Sequence, residues 1–143
     1  MTERPLLTPR LVVRDAAGAI AYYTATLGAR ELERYADDRG HVVHAALALG
    51  NAVIALTDEA PEWNNCAPPS LGGSPVILNL EVDDPDEVAR KMVAGGGRVI
   101  FEVSDQFYGH REGRVQDPFG HLWILTKVIA KMTPEQIREA MRG

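Results

Sequence analysis

The chain has 143 residues, 45% of them hydrophobic and 24% charged, the balance of an ordinary soluble globular protein and the size of one domain or of two half-domains sharing a core. Its net charge of −5, spread along the chain, offers no electrostatic footprint for nucleic acid or an anionic membrane. No apolar run approaches the ~18 residues of a membrane helix, and one cysteine, Cys66, excludes a disulfide framework or a cysteine-based zinc site.

Taken in order, residues 1–5 lack the apolar stretch of a secretion leader, so a cytoplasmic protein is expected. Leu7 to Arg14 reads as a strand. Asp15 is a suitable N-cap for a helix over 16–27, and Gly28 is its stop. Ile20, Tyr23 and Leu27 recur at helical spacing and should face a sheet. Strands follow at about 30–36, 41–49 and 52–57, the last two joined by the tight-turn pair Gly50-Asn51. Residues 58–75, rich in Pro, Asn, Gly and Ser, read as a linker. A strand at 76–82 leads to Asp84, which caps a helix with Pro85 at its first position and Glu87 placed for a capping box. Val88 and Met92 supply its buried face. Strands are expected near 98–103, 113–117 and 121–128. Thr133, Pro134 and Gln136 open a terminal helix over 133–142.

At a fixed offset of 69, Leu11-Val12-Val13-Arg14-Asp15 lies over Leu80-Glu81-Val82-Asp83-Asp84. Each block precedes a helix that stops at glycine (Gly28 or Gly96-Gly97), and each copy ends in an apolar strand, Val53–Leu56 or Leu122–Leu125. Two copies are too few for a solenoid. The fold class expected is α+β: one domain over 1–143 made of two βαβββ modules, about 5–58 and 75–128, whose sheets pair around a central cavity, plus the C-terminal helix.

Alternation divides the strands into two faces. A two-residue hairpin pairs Leu49 with Ala52, Ala48 with Val53, Ala46 with Ala55 and His44 with Thr57. The bulky set Val43, Leu47, Leu49, Ile54 and Leu56 belongs against the helix. His44, Ala46, Ala48, Val53, Ala55 and Thr57 are smaller and face the cavity. So do Thr8, Arg10 and Val12, then Ile77, Asn79 and Glu81, then Leu122, Ile124 and Thr126. The trough is mostly apolar with a few polar groups, as a small-molecule pocket needs. A filled barrel-like core is the alternative.

The segments Thr8–Ala17, Ala19-Ile20, Tyr23 and Leu27-Gly28-Ala29, then Asp105-Gln106-Phe107-Tyr108-Gly109 and Gly113–His121 with its Asp-Pro-Phe-Gly-His end, resemble the vicinal oxygen chelate superfamily, also called the glyoxalase/bleomycin-resistance fold, and within it the PhnB-like branch. Metal-using members place four ligands on the cavity face. Carried over, those positions are Thr8, Ala55, Ile77 and Ile124. Three of these side chains have no donor atom, and a divalent metal needs imidazole, carboxylate or several oxygens. The resemblance therefore implies no metal, no cofactor and a likeness to metal-free members, several of which sequester antibiotics.

Eight residues are candidates for ligand binding: Arg10, His44, Ala55, Thr57, Trp63, Asn79, Glu81 and Tyr108. No catalytic residue is assigned. His44 is either a base or ligand partner, or a half-buried histidine bonded to Thr57 or Asn79. Arg10 and Glu81 either recognise charge or form a salt bridge with each other. Trp63 is an aromatic wall or a subunit contact. His110, Tyr108 and Arg111 share a loop over 107–113, a lid or an ordered hairpin. His121 reads as a turn or edge residue and His41 as an exposed residue at a strand start. Gly95-Gly96-Gly97 follows a helix and is no dinucleotide fingerprint, and no nucleophile elbow is present. Two functions follow: a metal-free binder of a small, partly apolar metabolite, such as an antibiotic, or an enzyme using acid–base chemistry or an unusual metal set around His44 and Glu81. The resemblance also implies a homodimer, with Trp63 and the helix 134–142 contributing.

Overall fold

The structure, a computed structural model, describes residues 5–143. Residues 1–4, most of the segment read above for a leader, lie outside them. Contacts divide the chain into two units, Met1–Gly73 and Ser74–Gly143.

Unit one runs β1 (Arg10–Val13), α1 (Ala16–Leu27), β2 (Arg30–Ala36), β3 (Val42–Leu49) and β4 (Ala52–Asp58). Its four-stranded sheet has the order β1-β4-β3-β2, with β1 parallel to β4 and the other pairs antiparallel. The Asp15 carboxylate accepts the Gly18 amide at 3.0 Å, satisfying one of the orphan donors of α1. Gly28 ends the helix in the left-handed region at φ 69°. Ile20 and Tyr23 are buried, as are Leu11, Val13, Leu47, Leu49, Ile54 and Leu56. Each such aliphatic side chain contributes roughly 1.5–3 kcal/mol relative to exposure. Asp58 ties the unit together: one carboxylate oxygen accepts the Ala16 amide and the other the Val42 amide, both at 2.7 Å.

Beyond β4 the expected linker holds two short helical pieces, a 3-10 turn at Pro61–Trp63 and α2 (Pro68–Leu71). Each has proline at its start, where φ is preset and no amide is missed, and a left-handed residue at its end, Asn64 or Gly72.

Unit two repeats the plan with β5 (Ile77–Glu81), α3 (Pro85–Ala94), β6 (Arg98–Asp105), β7 (His110–Gln116) and β8 (Leu122–Val128), in the order β5-β8-β7-β6. Asp84 accepts the Glu87 amide at 3.1 Å. The Glu87 carboxylate, expected to complete a capping box, pairs with Arg90 one turn on, at 2.8 Å. Met92, Val115, Trp123 and Leu125 form the core. α4 (Pro134–Arg142) does carry a reciprocal capping box between Thr133 and Gln136.

The sequence offset is matched strand for strand. Arg10 pairs with Ala55 and Leu11 with Leu56; 69 residues on, Asn79 pairs with Ile124 and Leu80 with Leu125. Pairing across Gly50-Asn51 is as expected at Leu49–Ala52, Ala48–Val53 and Ala46–Ala55. Each unit is thus a βαβββ module. The segment 107–113, expected as a loop, is a tight turn after which β7 begins at His110. Among the described residues no helix is long and apolar enough to cross a membrane.

Candidate functional site

In unit two, β6, β7 and β8 present Phe101, Glu112, Arg114 and Ile124 to a cavity of about 460 Å³, which Ser104, Gln106, Tyr108 and Gly113 also line. Arg114 stands opposite both Phe101 and Ile124 in the sheet register. Its guanidinium carbon lies 5.2 Å from the centre of the Phe101 ring, a cation–π arrangement. Its Nε is buried without a hydrogen-bond partner. A buried donor left unmade is costly, so an unmatched one marks a place where an acceptor belongs.

Glu112, two residues earlier on the same face, accepts the Tyr108 hydroxyl. Burial first, then the bond to Glu112 and its charge, push the Tyr108 phenol up to about 12. His110 Nδ1 sits 2.8 Å from Thr126 Oγ1 and 3.9 Å from Glu112 Oε1. Gln106 reaches Ser104 Oγ at 3.0 Å. Gly113 sets how closely β6 can approach β7. A Cβ there would meet Val103 Cγ2 at 2.7 Å and its backbone nitrogen at 2.8 Å, so only glycine admits the irregular stretch of β6 between Phe101 and Ser104.

Unit one treats its candidates differently. His44 Nε2 lies 3.0 Å from Glu33 Oε2, and its ring stacks on Tyr35 at 6.0 Å. The partners expected, Thr57 and Asn79, are replaced because β2 pairs directly beside β3 and brings Glu33 and Tyr35 to that edge. Thr57 donates to the Asp58 carbonyl at 3.1 Å. Arg10 donates to the Val43 carbonyl at 2.8 Å, in place of the salt bridge considered for it. Ala46 and Ala55 are 8% and 6% exposed, so the small-residue face is closed at that point. Arg10, Thr57 and Trp63 line a second cavity of about 510 Å³. Asn79 and Glu81 lie exposed on β5. They line neither cavity, nor do His44 and Ala55.

Phe101, Glu112, Gly113 and Arg114 were not among the eight residues expected to bind a ligand. Alternation from Ile124 across the hairpin would have found Arg114 and Glu112. The five-residue turn 117–121 hid that register, because its length is not fixed by a two-residue signature.

The model of the glyoxalase/bleomycin resistance protein/dioxygenase superfamily matches residues 6–125. The chain belongs to that superfamily. A relative in Mycobacterium bovis, an uncharacterized protein, is 38% identical over 140 residues, covering 96% of this chain and 92% of its own. Among solved structures, TioX from a Micromonospora species has a TM-score of 0.66 at 24% identity, covering 90% of this chain and all of that one. A PhnB protein from Bacillus cereus has a TM-score of 0.65 at 20% identity, with 86% and 99% covered. These likenesses establish the fold and leave the chemistry to the residues.

At the four positions carried over above from the resemblance, the residues do not fit a metal. Ala55, Ile77 and Ile124 offer no donor atom, and Ala55 and Ile124 are held in register opposite Arg10 and Asn79. Among the described residues no group of three or more His, Cys, Asp or Glu is arranged to hold one.

Proposed function

We propose that the protein binds a small organic molecule in the unit-two cavity without a resident metal, as a binding or sequestering member of its superfamily, with an antibiotic or other natural product as the ligand class. One observation carries this reading: Arg114 enters the cavity with Nε buried and unmatched, beside the exposed ring of Phe101. A planar guanidinium braced on an aromatic face is suited to a carboxylate or carbonyl oxygen on a flat apolar body. A thermal-shift screen of natural products and aromatic carboxylates, against the wild type and Arg114→Gln, tests it. Stabilisation of the wild type that is lost in Arg114→Gln supports the reading. Ligands that stabilise both proteins equally, or none at millimolar concentration, overturn it.

Glu112 supports a second reading. Its carboxylate lies between Tyr108 and His110 at the cavity wall, a placement suited to metal-free proton abstraction. Turnover of a bound ligand that Glu112→Gln abolishes, with binding retained, would decide for an enzyme.

A further inference from the structure

Unit one's cavity differs in chemistry from the site just proposed, and nothing in it depends on that site. It is lined by Asp37, Asp58, Glu59 and Glu62, by the apolar Val42 and Val43, and by Trp63, with Arg10 and His41 as the basic groups. Trp63 is 75% exposed. It is not carried on a loose loop. The 3-10 turn that holds it is bracketed by two backbone bonds between Ala60 and Asn65, at 2.8 and 3.1 Å, and closed by Asn64 at φ 62°. The backbone that carries the indole is thus already ordered, so a ligand meeting it need not order a loop.

The carboxylates beside it are fixed mainly by amides. Asp58 accepts the Ala16 and Val42 amides, and Asp37 accepts those of Arg39 and His41. Amide bonds hold a carboxylate ionised without cancelling its charge. Hydrogen bonding from the His41 amide holds Asp37 below the usual carboxylate range, and bonds from Ser70 and the Ala67 amide do the same for Glu59. Arg14 stands 3.6 Å from Glu59, and His41 Nδ1 3.5 Å from Asp37. Arg10 spends a donor on the Val43 carbonyl. With histidine neutral, the cavity keeps an excess of negative charge at its wall. The carboxylates do not converge: no three are arranged to hold a metal ion among the described residues.

From the exposed indole on its bracketed turn, the apolar lining and the dispersed negative charge in one cavity, we infer that unit one has a binding site for an organic cation: a protonated or methylated amine on a small apolar body. The cation faces the Trp63 ring and the Glu62 side of the wall, an arrangement in which ring quadrupole and carboxylates act together. The apolar body lies against Val43, the exposed one of the two valines.

Calorimetric titration of the full chain with phenyltrimethylammonium and choline tests this, with 3,3-dimethylbutan-1-ol as the uncharged counterpart of choline. The expected result is saturable binding of the cations in the millimolar range or tighter, about tenfold or more above the neutral alcohol. Trp63→Ala should abolish it and Glu62→Gln weaken it about threefold or more, following loss of ring and charge respectively. Trp63 is exposed, so the melting temperature of Trp63→Ala should stay at the wild-type value, which separates lost binding from lost fold. No saturable binding, equal affinity for the neutral alcohol, full binding by Trp63→Ala, or a response to calcium chloride alone would each overturn the assignment.

Discussion

Asp117 should be the most consequential polar side chain in unit two, and a turn of similar bonding in unit one, between β2 and β3, supplies the comparison. Asp117 is 2% exposed. Its Oδ1 accepts the amides of Phe119 and His121, at 2.9 and 3.0 Å, and its Oδ2 accepts the indole N–H of Trp123 at 2.9 Å. Trp123 is itself 2% exposed, so in Asp117→Ala its N–H would have no access to replacement water. That orphaned donor costs about 1–3 kcal/mol, and the two turn amides, half-buried and partly rehydrated, add about 0.5–1 kcal/mol each. The total is about 2–5 kcal/mol, or roughly 6–15 °C in melting temperature at about 3 °C per kcal/mol for a chain of this size. Asp37 makes the same two turn bonds, to Arg39 and His41, at an exposed site with no indole. Asp37→Ala should therefore lower the melting temperature much less. Differential scanning calorimetry of both variants measures the difference. Equal losses would refute the argument that burial of the Trp123 donor sets the cost.

Four further outcomes are expected. Gly113→Ala drives a Cβ into the Val103 backbone and should cost about 1–3 kcal/mol; an unchanged denaturation midpoint would mean that β6 can move aside. In a spectrophotometric titration one of the four tyrosines should ionise near 12. Because the folded value lies above the ordinary one, Tyr108 adds stability below about pH 10 that is lost as the pH rises toward 12; Glu112→Gln should bring its ionisation down, but not to the ordinary value, since burial is the larger cause. Ala55→Trp, at a site 6% exposed and paired with Ala46, should overpack and cost about 1–3 kcal/mol or more; retained stability would reopen the alanine face as a pocket. A homodimer is expected in sedimentation velocity at tens of micromolar, an order of magnitude suited to a stable interface, with exposed Met141 of α4 among the groups it protects; a monomer there would contradict it.

The fold was legible where local rules and burial agree. Asp15 and Gly28 bound α1 at the residues expected, Thr133 and Gln136 close their capping box, and the offset of Leu11 against Leu80 reappears as sheet register. The site was less legible, because it depends on which strands become neighbours. His44 meets Glu33 and Tyr35 through β2–β3 pairing, which alternation within a single hairpin does not specify. Arg114 was hidden by a register set by the hydrogen bonds of Asp117, which no residue-type pattern announces. The exposure of Trp63 was legible from composition, since a tryptophan in a Pro/Asn-rich stretch has few buried places to go.

The shared register of β1–β4 and β5–β8 makes each half a natural control for the other. Where both halves keep the same residue, as at Leu56 and Leu125, Thr57 and Thr126, or Asp15 and Asp84, the architecture itself sets the requirement, and paired substitutions should behave alike. Where they part, the architecture leaves the choice open. Ala46 faces Ala55 in one half and Arg114 faces Ile124 in the other; two residues earlier stand His44 and Glu112. One half has filled its face with methyl groups while the other has placed a cation and a carboxylate on its own. The duplication thus separates the residues the shared scaffold requires from those in which the two halves have diverged.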